Sequence, residues 1–169
     1  VSTADRKAES VLFEELQKAR PKYGFLMEER GAVEGTDTSN RWIVDPLDGT
    51  TNFLHGIPQF AISIALERDG QIFAGVVYNP VTDEMFAAEK GQGAFLNGRR
   101  LRVSARRDAS QSLFSTGIPF LGRGNHAEFL KQLQSVMAVS AGVRRFGAAA
   151  LDLAWVAAGR YEGFWEQNL

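Results

Sequence analysis

The chain carries its most informative stretch at residues 42–53, which read Trp42-Ile43-Val44-Asp45-Pro46-Leu47-Asp48-Gly49-Thr50-Thr51-Asn52-Phe53. The apolar residues 42–44 predict a short buried strand. Pro46 predicts that this strand ends at Asp45, because proline holds the preceding residue extended and lacks a backbone N–H. Asp45, Asp48 and the Leu47 carbonyl then offer hard oxygen atoms to one or two small dications such as Mg²⁺. If a helix opens at Thr50, its free N–H groups point at an anion. The stretch therefore predicts a site for divalent metal and phosphate.

The same residues also have a plainer interpretation. Asp, Gly and Thr are ordinary turn formers, so Asp45, Asp48, Gly49 and Thr50 alone are equally typical of a strand, a turn and a capped helix. The full twelve residues favour the metal site, because at every position they resemble the first signature motif of the inositol monophosphatase family, W-I-[IV]-D-P-[IL]-D-G-T-[TS]-N-F.

The resemblance extends along nearly the whole chain. It includes Asp5 in Thr3-Ala4-Asp5-Arg6, and the stretches 25–29, 91–98 and 150–154. It implies an α/β fold, the layered αβαβα sandwich of the sugar phosphatase superfamily with mixed and antiparallel sheets. We expect one domain over 1–169, with metal-binding layers over about 1–110 and the start of the substrate-side layers over about 111–169. The family's second signature, W-D-x-A-A-G, contains a metal-ligating aspartate with no counterpart here, so we expect a C-terminally incomplete segment.

The resemblance also implies roles for individual residues around the first motif. The implied metal ligands are Glu28, Asp45, the Leu47 carbonyl and Asp48. The implied catalytic residues are Glu28, Asp45 and Thr50, with Glu28 and Thr50 orienting and activating the attacking water. The implied phosphate contacts are Asp48, Gly49, Thr50 and Thr51.

Five further residues have two interpretations each. By resemblance Gly147 and Ala149 contact the substrate ring and Glu166 binds its hydroxyl groups, whereas close helix packing and a strand-end surface glutamate are the plain alternatives. Asp5 is most simply a helix-capping or first-turn acid, although its place in the family pattern lies near the metal ligands. Glu29 either supports those ligands or faces water.

These residues predict a phosphoric monoester hydrolase. We expect it to hydrolyse myo-inositol 1-phosphate with two or three Mg²⁺ ions and a metal-activated water, because such ions neutralise phosphate oxygens and supply hydroxide. The resemblance implies lithium sensitivity and a homodimer. The alternatives are another small substrate (fructose 1,6-bisphosphate, histidinol phosphate or a 3′-phosphoadenosine nucleotide) and a non-catalytic regulatory binding protein on the same fold.

Composition favours a cytoplasmic protein with a small-molecule substrate. The 169 residues are 44% hydrophobic and 23% charged, with a formal net charge of −1 and no cysteine. Near-neutral charge provides no general attraction to nucleic acid or an anionic membrane, and the absence of cysteine excludes disulfides. We therefore expect neither nucleic acid nor membrane as a partner.

Apolar periodicity predicts the order of the elements. The predicted helices are 5–19, 126–137 and 147–158. The predicted strands are 24–27, 42–44, 60–67, 71–78, 84–88, 99–103 and 161–165, with 60–88 as an antiparallel meander, a tight turn at Asn97-Gly98 and a polar loop over 31–40.

Overall fold

The computed structural model describes residues 2–167 and 169. Within them the helices are α1 (Thr3–Ala19), α2 (Thr50–Leu54), α3 (His126–Met137) and α4 (Ala149–Ala157). The strands are β1 (Tyr23–Met27), β2 (Gly31–Val33), β3 (Asp37–Asp48), β4 (Ala61–Arg68), β5 (Gln71–Asn79), β6 (Glu84–Glu89), β7 (Gly93–Leu96), β8 (Arg99–Arg100), β9 (Leu113–Thr116), β10 (Gly142–Arg144) and β11 (Gly163–Trp165). They form two compact units, Val1–Arg100 and Leu101–Leu169. In the described residues, no helix has both the length and the apolar character needed to cross a membrane.

The first unit is built on an eight-stranded sheet in the order β2-β1-β3-β4-β5-β6-β7-β8. Strands β3 to β8 follow one another antiparallel, which confirms the predicted meander, while β1 lies parallel to β3. Helix α1 packs against β3. Its apolar side contacts a core of Phe25, Met27 and Val44. This core fixes the ends of β1 and β3 side by side.

Two predictions about this unit are wrong. Strand β3 does not stop at Asp45 but continues to Asp48, because a β-bulge between Asp45 and Asp48 accommodates the buried Pro46. The stretch 31–40 is not a loop throughout, since β2 pairs antiparallel with β1 and β3 already begins at Asp37. In both cases backbone pairing with a neighbouring strand outweighs the local turn signals.

The second unit contains a three-stranded parallel sheet in the order β10-β9-β11. Helix α3 contacts β10 and helix α4 contacts β11. The predicted helix 126–137 is confirmed and α4 lies inside the predicted 147–158, but β9 and β10 are strands that sequence analysis missed. The predicted strand 99–103 is reduced to Arg99–Arg100.

Candidate active site

Strand register brings Glu28 and Asp45 together. In the parallel pairing of β1 with β3, Met27 lies opposite Val44. Glu28 and Asp45 are the next residues of the two strands, so both carboxyl groups lie at the same edge of the sheet. This placement follows from the apolar core beneath it, in which Phe25, Met27 and Val44 set the register.

The pKa values of the two carboxyl groups are both raised. Partial burial of the group, the Asp45 carboxylate and a hydrogen bond to Asp45 raise the pKa of Glu28 to about 7, and Glu29 and Asp5 add repulsion. Burial also raises the pKa of Asp45, against the opposing effect of the Leu47 N–H, which donates to Asp45 Oδ1 at 3.0 Å. Burial, together with repulsion from neighbouring acids, therefore opposes ionisation of both groups.

Asp5 caps the start of α1 and also contacts the motif at Thr50. It is the third residue of α1 and completes a capping box, in which the Ser2 N–H donates to the Asp5 carboxylate and the Ser2 hydroxyl accepts from the Asp5 N–H. Its other carboxylate oxygen, Oδ1, accepts a hydrogen bond of 3.0 Å from the Thr50 hydroxyl. Burial acts to raise the pKa of Asp5, but the hydrogen bonds from Ser2 and Thr50 outweigh it and lower that pKa. Asp5 thus links the start of α1 to the start of α2.

The Thr50 hydroxyl lies at the centre of the motif. Besides its bond to Asp5, it lies 3.0 Å from the Leu47 carbonyl oxygen. With its hydrogen engaged by these two acceptors, the Thr50 oxygen keeps lone pairs that can accept a hydrogen bond from water. The predicted pairing of Thr50 with Glu28 is not among the contacts of this structure, in which Asp5 is the acidic partner of Thr50.

The other motif residues are positioned by the turn into α2. Gly49 has a φ of 93°, the left-handed conformation that favours glycine, and is followed directly by α2. Asp48 lies opposite Ala61 of β4 beyond the bulge, and Thr51 is exposed in the first turn of α2. The helix predicted to open at Thr50 is confirmed.

Glu9 is a buried acid beside the site that sequence analysis missed. Only 2% of its surface is exposed. Its Oε2 accepts a hydrogen bond of 2.8 Å from the Glu29 N–H, and its Oε1 lies 3.2 Å from Arg30 Nε. Glu9 thereby ties the Glu28-Glu29-Arg30 turn to α1. The available signal was spacing, because Glu9 follows Asp5 by four residues on the same helix face.

The donor set suits Mg²⁺, although the acids are not arranged around a cation. Among residues 2–167 and 169, no group of three or more His, Cys, Asp or Glu side chains is placed so that it could hold a metal ion. Glu28 instead lies beside Asp45, and burial and the Asp45 carboxylate raise its pKa. Carboxylates and a backbone carbonyl are the hard oxygen ligands that Mg²⁺ prefers, and a bound cation favours the charged form of nearby carboxyl groups.

The second unit holds the three residues expected to contact substrate. Gly147, with a φ of 83°, and Ala149, the first residue of α4, form the entry to that helix. Glu166 is exposed directly after β11 and lines a cavity of about 320 Å³ between β11 and the loop 117–124. Neither Gly147 nor Ala149 lines that cavity.

A second buried acid, Asp152 of α4, also escaped sequence analysis. Its Oδ1 accepts a hydrogen bond of 2.5 Å from the Ser115 hydroxyl, and both residues are buried. Burial raises the pKa of Asp152 to about 6, with Glu166 adding repulsion and Ser115 and Arg145 opposing the shift. Here the sequence signal was the polar position in the otherwise apolar helix α4.

The comparisons with known proteins agree with the fold. Residues 1–169 match the model of the inositol monophosphatase family, and the chain belongs to this family. The inositol-1-monophosphatase of Mesorhizobium japonicum is 66% identical over the whole chain, which covers 64% of that protein. The Nus factor SuhB of Pseudomonas aeruginosa is 47% identical, with 64% of its length covered. The chain thus spans slightly less than two thirds of these relatives.

The family's solved structures confirm the predicted fold class. The crystal structure of extragenic suppressor protein suhB from Bartonella henselae superimposes on the chain with a TM-score of 0.98 and 63% sequence identity. The match covers all of this chain and 66% of that one. The mixed α/β fold of the sugar phosphatase superfamily is therefore established over the length of the chain.

Proposed function

We propose that the complete protein is a Mg²⁺-dependent phosphomonoesterase that hydrolyses myo-inositol 1-phosphate or a similar polyol phosphate. The observation that carries the proposal is the convergence of Glu28 and Asp45 at one sheet edge, beside a Thr50 hydroxyl held by Asp5. The substrate is suggested by relatives at 63–66% identity that are named inositol-1-monophosphatase.

The first unit contains the residues that would hold the metal. Glu28, Asp45, Asp48 and the Leu47 carbonyl would bind two or three Mg²⁺ ions. When bound, such ions neutralise phosphate oxygens, lower the pKa of water and stabilise the leaving alkoxide. The raised pKa values of Glu28 and Asp45 are consistent with this assignment, because burial and neighbouring acids both oppose ionisation there and a bound cation would favour it.

Other residues of the unit would orient the reactants. The Thr50 oxygen, its hydrogen directed to Asp5 and Leu47, would accept a hydrogen bond from the attacking water and so hold one lone pair of that water toward phosphorus. The Gly49 and Thr50 backbone and the Thr51 hydroxyl would contact the phosphate. Attack by water in line with the leaving alkoxide requires no covalent enzyme intermediate.

The second unit would supply the polyol contacts. Gly147 and Ala149 would face the ring, and the Glu166 carboxylate would accept hydrogen bonds from its hydroxyl groups, which favours a polyol ester over an apolar one. Lithium sensitivity, a homodimer and a cytoplasmic location belong to the same proposal. The expectation that neither nucleic acid nor membrane is a partner stays a prediction.

Phosphate release by the complete protein tests the proposal. Myo-inositol 1-phosphate, fructose 1,6-bisphosphate, histidinol phosphate and 3′-phosphoadenosine 5′-phosphate would be compared with and without Mg²⁺. We expect Mg²⁺-dependent turnover that is fastest on the inositol ester. Preference for another ester would identify that ester as the substrate and leave the metal assignment in place. Turnover that persists in the presence of a chelator would contradict the metal assignment.

The relatives named Nus factor SuhB favour a second candidate, a regulatory binding role on the same fold. The two functions separate in a variant with Glu28, Asp45, Asp48 and Thr50 all changed to alanine. A biological role that survives these changes would belong to the binding function. Loss of the role together with phosphatase activity, in a protein that still folds, would assign it to catalysis.

A further inference from the structure

Gly117 and Glu166 occupy equivalent places at the ends of two parallel strands. In the pairing of β9 with β11, Thr116 lies opposite Trp165, and Gly117 and Glu166 are the next residues. The Gly117 N–H donates to the Trp165 carbonyl at 3.2 Å. The hydroxyl of the buried Thr116 lies 2.8 Å from the Trp165 carbonyl oxygen and 3.0 Å from the Gly117 carbonyl oxygen. These bonds hold the two strand ends at fixed spacing.

The Glu166 carboxylate fills the space that a side chain at position 117 would need. A methyl group built on Gly117 would overlap the carboxyl carbon and both carboxylate oxygens of Glu166. The φ of Gly117 lies outside the left-handed region, so its backbone conformation is open to other residues. Glycine is therefore needed at position 117 only because the Glu166 carboxylate occupies the space of a side chain.

The carboxylate borders a cavity of a size suited to a small molecule. The cavity measures about 320 Å³ and is lined by Gly117, Glu166 and the loop that follows β9. That volume lies at the lower end of the range for small-molecule sites, about 300–1,000 Å³. Burial raises the pKa of Glu166, and Arg145 opposes the shift, so the carboxylate is partly removed from water on this side.

We propose that Gly117 is a specificity-determining positioning residue, which fixes the Glu166 carboxylate against the end of β9 and thereby sets the preference for polyol phosphates. This inference rests on the proposed function, because it assumes that Glu166 binds substrate hydroxyl groups. Gly117 itself need not contact substrate. Its effect is exerted through the place it leaves for Glu166.

Gly117→Ala in the complete protein tests the inference. The atoms that must move are the far end of a flexible side chain, so we expect the variant to fold with its melting temperature close to that of the parent. KM for myo-inositol 1-phosphate should rise about 10-fold to 100-fold, the value of one hydrogen bond to a charged group, with kcat little changed. The kcat/KM for phenyl phosphate, which has no ring hydroxyl, should stay within about 2-fold.

Gly75→Ala is the matched control. Gly75 also lies in a strand region with an ordinary φ, and the contact of a methyl group there would be the Ile64 carbonyl oxygen at 3.7 Å, an ordinary van der Waals distance. This variant should leave kcat and KM unchanged for both myo-inositol 1-phosphate and phenyl phosphate. A Gly117→Ala protein that loses activity equally on both esters would overturn the inference, because it would show general damage rather than altered selectivity.

A double-mutant cycle separates the inference from the proposed function. If Gly117 acts through Glu166, Glu166→Ala should raise KM for the inositol ester, and adding Gly117→Ala should raise it no further. A loss in Glu166→Ala without one in Gly117→Ala would overturn the role of Gly117 and leave the polyol contact intact. Unchanged selectivity in Glu166→Ala would overturn the polyol contact itself, whatever Gly117→Ala does.

Discussion

Both units hold acids against a pair of parallel strands, but the two units surround those acids differently. Where β1 ends beside β3, neither Glu28 nor Asp45 has an ion-pair partner among the described residues, and burial raises the pKa of both. In the second unit, Asp152 accepts a hydrogen bond from the Ser115 hydroxyl, and the positive charge of Arg145 acts to lower its pKa. The first arrangement is the one to which our proposal assigns Mg²⁺, whereas the second obtains its partners from the fold.

The largest effect that this contrast predicts is on turnover. Asp45→Asn in the complete protein should lower kcat/KM for myo-inositol 1-phosphate by a factor on the order of 10³, comparable to the loss of an electrostatic group acting at the reacting centre. The amide has nearly the same shape as the carboxylate but no charge to offer a cation. Steady-state phosphate release in saturating Mg²⁺ measures the effect.

Asp69→Asn is a suitable control for that change. Asp69 lies in the β4–β5 turn with a φ of 50°, a conformation that asparagine also adopts. The substitution removes one carboxylate from the same unit and leaves Glu28, Asp45 and Asp48 unchanged, so activity should be retained. An Asp45→Asn enzyme with activity near that of Asp69→Asn would show that the acids at this edge are not needed for turnover.

The second prediction concerns Glu9, which holds the turn after β1 against helix α1. Glu9→Gln should lower the free energy of unfolding by about 2 kcal/mol, because it weakens a charge-assisted hydrogen bond to the Glu29 N–H and the pairing with Arg30. Glu14→Gln, at an exposed position of the same helix, should change it by no more than about 0.5 kcal/mol. Urea unfolding measures both, and equal midpoints would rule out a supporting role for Glu9.

Glu9 also illustrates what could and could not be predicted from the sequence. Its partner is a backbone N–H twenty residues away, so no local pattern reveals it. The proximity of Asp45, Asp48, Gly49 and Thr50 was predictable, because the four residues belong to one continuous motif. The bond between Thr50 and Asp5 connects residues 45 positions apart, and the sequence indicated only that Asp5 had a place in the family pattern.

The strands show the same division. The meander β4 to β6 has clear turns between apolar runs, and its prediction is confirmed. Strands β9 and β10 are four and three residues long, and each is stabilised by parallel pairing with a distant segment rather than by a local turn. Such pairing leaves little periodicity to detect. Strand β2 pairs antiparallel with its neighbour β1 across a local turn, but its three residues are too few to show a period.

The third prediction concerns Asp152, the buried acid that accepts a hydrogen bond from Ser115. The pKa of Asp152 is about 6 in the folded protein, above its usual 3.8, so between these values the folded state binds more protons than the unfolded state. Stability contributed by the protonated group is therefore lost as pH rises from about 4 to 7. Relative to Asp152→Asn, the unfolding free energy of the parent should fall by about 1 to 2 kcal/mol over this range. A constant difference between the two proteins would contradict the raised pKa.

The smallest effect concerns Asp5, which is held by the helix cap at Ser2 and also contacts Thr50 of the motif. Ser2→Ala removes one half of the capping box and should cost about 1 kcal/mol in stability. Ser135→Ala, which removes an exposed hydroxyl that only bonds back to the Lys131 carbonyl within α3, should cost much less. Because Thr50 still binds the other oxygen of Asp5, we expect kcat to stay within about 2-fold of the parent when the start of α1 is loosened. A Ser2→Ala enzyme that is slow but as stable as Ser135→Ala would instead mean that the cap orients Asp5 for Thr50. The acid at this helix start would then depend on the fold for its position as closely as Asp152 does.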